Sequence, residues 1–114
     1  MHELAVTESI LNIAQKHAAQ ANAIIVTDIY IVIGKFSSIV DDSIQFYWDI
    51  ISKNTICENS KLHFDRRPAK FLCLGCGHEF EFTDEIMPCP ACTSIRLKLL
   101  SGEEFWVESI EIER

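Results

Sequence analysis

The sequence predicts an α+β fold: a small sheet with two helices on one face, plus an inserted four-cysteine, zinc-ribbon-like module. Three observations carry this. Two stretches have helical apolar spacing, three β-rich stretches flank them, and residues 70–100 hold two C-x2-C pairs. At 114 residues the chain supports one modest core, burying roughly 65% of its unfolded surface.

Residues 3–20, ELAVTESILNIAQKHAAQ, are rich in helix formers. Their apolar groups fall at 4, 11, 14 and 18, with 6, 10 and 13 beside them, which predicts a helix with a broad buried face. Residues 23–34, AIIVTDIYIVIG, are β-branched and aromatic and predict a mostly buried strand. A second helix is expected to start at Asp41 or Asp42. Either can cap it, Gln45 stands where a capping box needs it, and Ile44, Tyr47, Trp48 and Ile51 give the apolar face. Residues 56–66 hold a turn and a short strand through Leu62 and Phe64, and Pro68 marks a boundary. Ile110 and Ile112 alternate in a last strand, expected to return to the first sheet. The division that follows is 1–67 with 103–114 as one domain and 68–102 as the inserted module.

Cys73 and Cys76 form one pair, Cys89 and Cys92 the other, twelve residues on. Two such pairs place four sulfurs at the corners of a tetrahedron, the arrangement Zn(II) prefers, and iron suits the same ligand set. Gly75 and Gly77 allow the tight turn of the first pair, and HEFEF alternates as a hairpin arm should. A redox dithiol is the competing reading, and it would want a βαβ context that the pattern does not show. Four thiolates leave no position for water or substrate, so such a zinc is structural. Zinc with four thiolates adds +2 and −4, a net −2, taking the formal charge from −7 to −9.

That acidity argues against nucleic acid and anionic membranes as partners. No signal peptide or spanning segment is expected, and five cysteines without one point to a reducing, cytoplasmic setting. Cys57 stands alone and reads as a small buried hydrophobe. His78 reads as an exposed residue beside the first knuckle, and His17 and His63 as ordinary residues rather than ligands.

The amino end, Met1-His2-Glu3, offers an amine, two backbone amides and an imidazole within three residues. An imidazole at position 2 closes a chelate ring with its own backbone nitrogen. Ni(II) and Cu(II) promote the deprotonation this needs and favour square-planar nitrogen sites. The first N–H groups of a helix have no intrahelical partner, so using the amides of His2 and Glu3 breaks no helical bond.

MHELAVTESI before a helix, VIGKFSSI after the first strand, CENSKLHF, then C-x2-C-x12-C-x2-C and a closing IEIE strand resemble the HypA family of hydrogenase maturation proteins over nearly the whole chain. The resemblance implies a nickel metallochaperone, not an enzyme. It would deliver Ni(II) to the [NiFe]-hydrogenase large-subunit precursor with the GTPase HypB, and in some organisms serve urease maturation. By position it assigns nickel to His2 with the backbone nitrogens of His2 and Glu3, and structural Zn(II) to Cys73, Cys76, Cys89 and Cys92. The fourth nickel donor stays open between the Met1 amine, a water and another side chain. The alternative from a different class is a zinc-ribbon protein-interaction adaptor without a nickel role; a nucleic-acid-binding ribbon is disfavoured by the net charge.

Overall fold

The structure, a computed structural model, describes residues 3–82 and 87–114. The elements run α1 (Glu3–Gln20), β1 (Ile25–Gly34), α2 (Asp41–Ile51), β2 (Lys61–Arg67), β3 (Lys70–Cys73), β4 (Glu79–Glu81), β5 (Leu97–Ser101) and β6 (Phe105–Glu113). They build two three-stranded sheets, ordered β2–β1–β6 and β4–β3–β5.

Helix α1 keeps the predicted bounds and buries Thr7, Ile10, Ala14 and Ala18, spaced by three and four residues. The buried stripe is narrower than the apolar pattern: Leu4 and Ile13 are more than a third exposed. Thr7 enters the core because its hydroxyl donates to the Glu3 carbonyl one turn back, at 2.5 Å, which satisfies the buried oxygen. The helix stops at Asn22, whose φ of +56° is left-handed. Ala23 N–H donates to the Ala18 carbonyl and Asn22 N–H to that of Ala19, the paired bonds of a Schellman ending. That turn uses Ala23, so β1 begins two residues later than expected.

Strand β1 is central. It runs parallel to β2 and antiparallel to β6, so the last strand does return to the first sheet. A bulge between Val26 and Asp28 shifts the alternation by one, which lets Val26 share the core with Ile29, Ile31 and Ile33. Both helices pack on this face. Ile44 and Trp48 of α2 join the core, with Leu62, Phe64, Phe105, Val107, Ile110 and Ile112 packed around it. Trp48 Nε1–H donates to Ser60 Oγ at 3.0 Å, and the Ser60 hydroxyl donates to the Cys57 carbonyl at 2.5 Å.

Two sequence expectations fail here. Neither Asp41 nor Asp42 caps α2: the N-cap is Val40, with no side-chain cap bond. Asp41 instead pairs with Arg66 of β2, and Gln45 Nε2 donates to Asp49 Oδ1 at 2.9 Å, so both groups are spent elsewhere. Secondly, β1–α2–β2, with its parallel strands, is a βαβ unit, although the sequence pattern does not show one. All four paired cysteines lie outside it.

The two sheets meet at small residues. A Cβ on Gly34 would lie 2.2 Å from the Gly102 carbonyl oxygen, and one on Gly102, at φ +134°, would lie 2.7 Å from Ala69 Cβ. Phe36 N–H donates to the Gly102 carbonyl at 2.7 Å. The Phe36 ring meets Phe82 edge-on at 4.7 Å and Phe71 at 6.1 Å. The inserted module is thereby pinned to the end of β1 by main-chain and aromatic contacts.

Candidate metal centre

Strand β3 delivers Cys73 to the first knuckle, and β4 leaves it. The hairpin therefore has the cysteine pair at its tip, with HEFEF supplying its second arm as β4. The second knuckle, at Cys89 and Cys92, leads into β5 on the other edge of β3. The two knuckles repeat the same bonding. Cys73 N–H donates to the His78 carbonyl and Cys89 N–H to that of Ser94. Gly77 N–H returns to the Cys73 carbonyl and Thr93 N–H to that of Cys89. Inside each loop an amide points at the leading sulfur: Gly75 N–H to Cys73 Sγ at 3.3 Å, and Ala91 N–H to Cys89 Sγ at 3.4 Å. Of the two knuckle glycines only Gly77 adopts positive φ. Gly75 is close to its neighbours instead, with a Cβ there 3.4 Å from Ser94.

The four sulfurs converge. Cys73 and Cys92 Sγ are 3.5 Å apart, Cys76 and Cys89 Sγ 3.7 Å, and all four lie within 4.8 Å of one another. A tetrahedron with bonds of about 2.3 Å has edges of about 3.8 Å. The arrangement therefore fits one tetrahedral ion with little adjustment. Cys73 and Cys89 are buried, Cys76 and Cys92 exposed.

Electrostatics also fits a cation. Burial opposes ionisation of Cys73, but the backbone of Cys76 and Gly75 and the Cys92 thiol outweigh it and bring its pKa down to about 6. At Cys76 the His78 backbone pulls downward; Cys92, burial, Cys73 and Cys89 together push the thiol up to about 12. Cys92 is also raised: the Ser94 backbone favours its thiolate, but Cys73, burial and Cys89 oppose it. The backbone thus favours the Cys73 thiolate, while the raised Cys76 and Cys92 thiols would ionise with a cation among them.

The other sequence-stated residues fall elsewhere. His2 lies outside the described residues. Glu3 opens α1, half-buried, with its carbonyl engaged by Thr7. Cys57 is buried in the core, and burial raises its thiol to about 11, as an inert small hydrophobe requires. His17 is exposed on α1. His78 is exposed and stacks on Phe80, centroids 5.9 Å apart.

His63 is more than an ordinary strand residue. Its Nε2 lies 2.7 Å from Asp28 Oδ2, and its ring stacks on Tyr30 at 4.6 Å. The Tyr30 hydroxyl donates to Glu111 Oε1 at 3.0 Å. Hydrogen bonds from His63 and then Thr27 hold the Asp28 carboxyl below its usual range, and the bond to Glu111 raises the Tyr30 phenol. This cluster crosses three strands on the face away from the helices. Only the β1–β2–β6 register brings it together, so no local motif announces it.

Comparison with known proteins fits this architecture. The sequence profile of the family described as "Hydrogenase/urease nickel incorporation, metallochaperone, hypA" matches residues 1–112. The chain belongs to the HypA family. The family is one of metallochaperones, not enzymes. Among similar proteins, the hydrogenase maturation factor HypA of Dehalococcoides mccartyi (strain CBDB1) is 39% identical over 113 residues, covering 99% of this chain and 95% of that protein. The HypA of Geobacter metallireducens is 34% identical, covering 99% and 100%. The fold is shared with the solution structure of the nickel metallochaperone HypA from Helicobacter pylori. That match has a TM-score of 0.69 and 21% identity and covers 99% of this chain and 98% of that one. Among the described residues, no helix is long and apolar enough to cross a membrane.

Proposed function

We propose that this HypA-family chain is a cytoplasmic nickel carrier for [NiFe]-hydrogenase maturation. It grips Ni(II) at its amino end and uses Zn(II) at Cys73, Cys76, Cys89 and Cys92 to shape the inserted module. The family match from residue 1 onward supports the first half, because it includes Met1-His2-Glu3, the last of which opens α1. The sulfur spacing carries the second. His2 would supply its imidazole and backbone nitrogen, and Glu3 its backbone nitrogen. The Glu3 carbonyl already bonds to Thr7 within the helix, whereas a first-turn amide has no helical acceptor to lose.

The ion is cargo, so no nucleophile or acid–base pair is required. A donor set at a chain end suits release better than a closed cage. The four-sulfur site is such a cage, which assigns it to structure. The chain divides accordingly into 1–67 with 103–114, carrying β1, β2 and β6, and 68–102, carrying β3, β4 and β5. The partners this function calls for are the GTPase HypB and the large-subunit precursor, with urease maturation proteins as a second destination.

The test is a Ni(II) titration of untagged protein against His2→Ala, with X-ray absorption on the nickel-loaded parent. One-to-one binding lost in the variant, with a nitrogen-rich shell of low coordination number, is the expected result. Unchanged binding in His2→Ala, or a sulfur-dominated shell, would move nickel away from the amino end. A parent that binds no nickel would leave the chain an adaptor built on a zinc ribbon.

A further inference from the structure

Strand β6 closes one side of its sheet, since the order is β2–β1–β6. Half of its backbone groups face β1; the other half have no strand beside them among the described residues. Along this edge runs an apolar groove of about 410 Å³. Val6, Ile10 and Ile13 of α1 form one wall, and Phe105, Trp106 and Val107 of β6 the other. Ile13 is 39% exposed and Trp106 42%. The strand's charge has one sign. Glu108, Glu111 and Glu113 are exposed along it, with Glu103 exposed on its approach. Trp106 Nε1–H donates to the Glu108 carboxylate, which fixes that charge on the strand face opposite Phe105 and Val107, the face on which the Arg67 guanidinium lies 5.9 Å over the Trp106 ring.

We infer that this edge and groove dock an extended, cationic and apolar segment of a partner polypeptide. The segment adds to β6 as a fourth strand. Its main chain bonds the open N–H and C=O groups, alternate apolar side chains enter the groove, and its lysines or arginines face Glu108 and Glu111. Acidic side chains on an open edge also discourage self-pairing. Edge protection alone, however, requires no apolar trough.

A second copy is a poorer occupant. β6 against β6 sets glutamates against glutamates. β6 against the Lys61, Arg66 and Arg67 side of β2 is a heterologous contact that does not close on itself. Val6 lies one turn beyond Glu3, so docking here brings a partner beside the amino end. That use of the surface rests on the nickel reading; the docking itself does not.

The probe is an acetylated, amidated peptide of alternating valine and lysine, matched to the nine residues of β6. A valine–glutamate peptide and an alternately N-methylated valine–lysine peptide are the controls. Amide hydrogen exchange locates the contact, calorimetry gives affinity, and light scattering follows self-association. The valine–lysine peptide should protect amides within 105–113, bind less tightly at high salt, and lose about tenfold or more in affinity with Ile13→Glu or Glu108→Lys. Circular dichroism checks that each variant is folded; the exposed Glu108→Lys provides the answer should Ile13→Glu fail to fold.

Absence of protection at millimolar peptide, equal binding of the valine–glutamate or N-methylated peptide, protection confined to β2 or β5, or concentration-dependent self-association through β6 would each overturn the inference. Nickel stoichiometry is measured on the same samples. Docking without nickel binding would defeat the proposed function and leave this surface standing; nickel binding without docking would do the reverse.

Discussion

Gly77 and Thr93 hold the same place in the two cysteine knuckles, directly after the second cysteine of each pair. Both are left-handed, at φ +78° and +64°, and each returns its N–H to the carbonyl of the leading cysteine. A left-handed backbone costs an L-residue about 1–2 kcal/mol, and a β-branched one is badly suited to it. At Gly77 a Cβ would meet nothing within 4 Å, so Gly77→Ala reads the backbone term alone. It should cost about 1 kcal/mol, while Thr93→Gly should gain less than that, because glycine loses about 0.5–1 kcal/mol more entropy on folding. Thermal unfolding of the metal-loaded protein measures both; a neutral Gly77→Ala would sink the account. At this scale the sequence is most legible where chemistry is local. Two C-x2-C pairs announce four converging sulfurs without any knowledge of the fold. The Asp28–His63–Tyr30–Glu111 cluster is invisible, because its members are neighbours only through strand register.

At the scale of elements, apolar periodicity carries most of the signal. α1 has the expected bounds, and Ile44 and Trp48 of α2 face the core because they are four residues apart on one side. The failures have a common cause. Asp41 and Gln45 look like cap residues locally, but a cross-element ion pair and an i,i+4 bond claim them. The parallel β1–β2 pairing was likewise hidden, since periodicity gives strands and not their order. Gly34 shows how tightly the elements are joined. Its missing Cβ makes room for the Gly102 carbonyl, main chain against main chain. Gly34→Ala must separate β1 from the 101–104 turn, and overpacking of this kind costs about 3 kcal/mol. Urea unfolding should show the loss, together with weaker protection of the Phe36 amide, which bonds to the same carbonyl. A change below about 1 kcal/mol would mean that the junction yields and is not a fixed point.

The whole molecule is long for its size. Its radius of gyration is 18.0 Å, with extents of 55 × 24 × 17 Å, against about 13 Å for a compact chain of this length. The shape follows from two sheets joined end to end through Gly34, Ala69, Gly102 and the Phe36, Phe71 and Phe82 rings. Nothing in the sequence gives that arrangement, because small residues at a junction carry no periodic signal. The two ends also draw stability from different sources. Ile10, Ala14, Ile29, Ile31, Ile33, Ile44 and Trp48 make a core that needs no metal. Around the cysteines, by contrast, the only buried hydrophobic residues among the described ones are Cys73 and Cys89 themselves, while Leu74 and Ile95 are exposed. A four-thiolate zinc contributes on the order of 10 kcal/mol in small metal-folded modules, so under the proposed function an ion held by these four sulfurs would replace a core here. Cys73→Ser, or a strong chelator, should therefore release zinc and unprotect amides across 70–100. Helical circular dichroism should persist, since α1 and α2 lie wholly in the other part. The Phe36–Phe82 contact ties the two ends, so a small fall in the thermal midpoint of the helical part is expected as well. Loss of all helical signal on zinc removal would show instead that the two parts fold as one unit and that the junction, not the core, sets the stability of the helices.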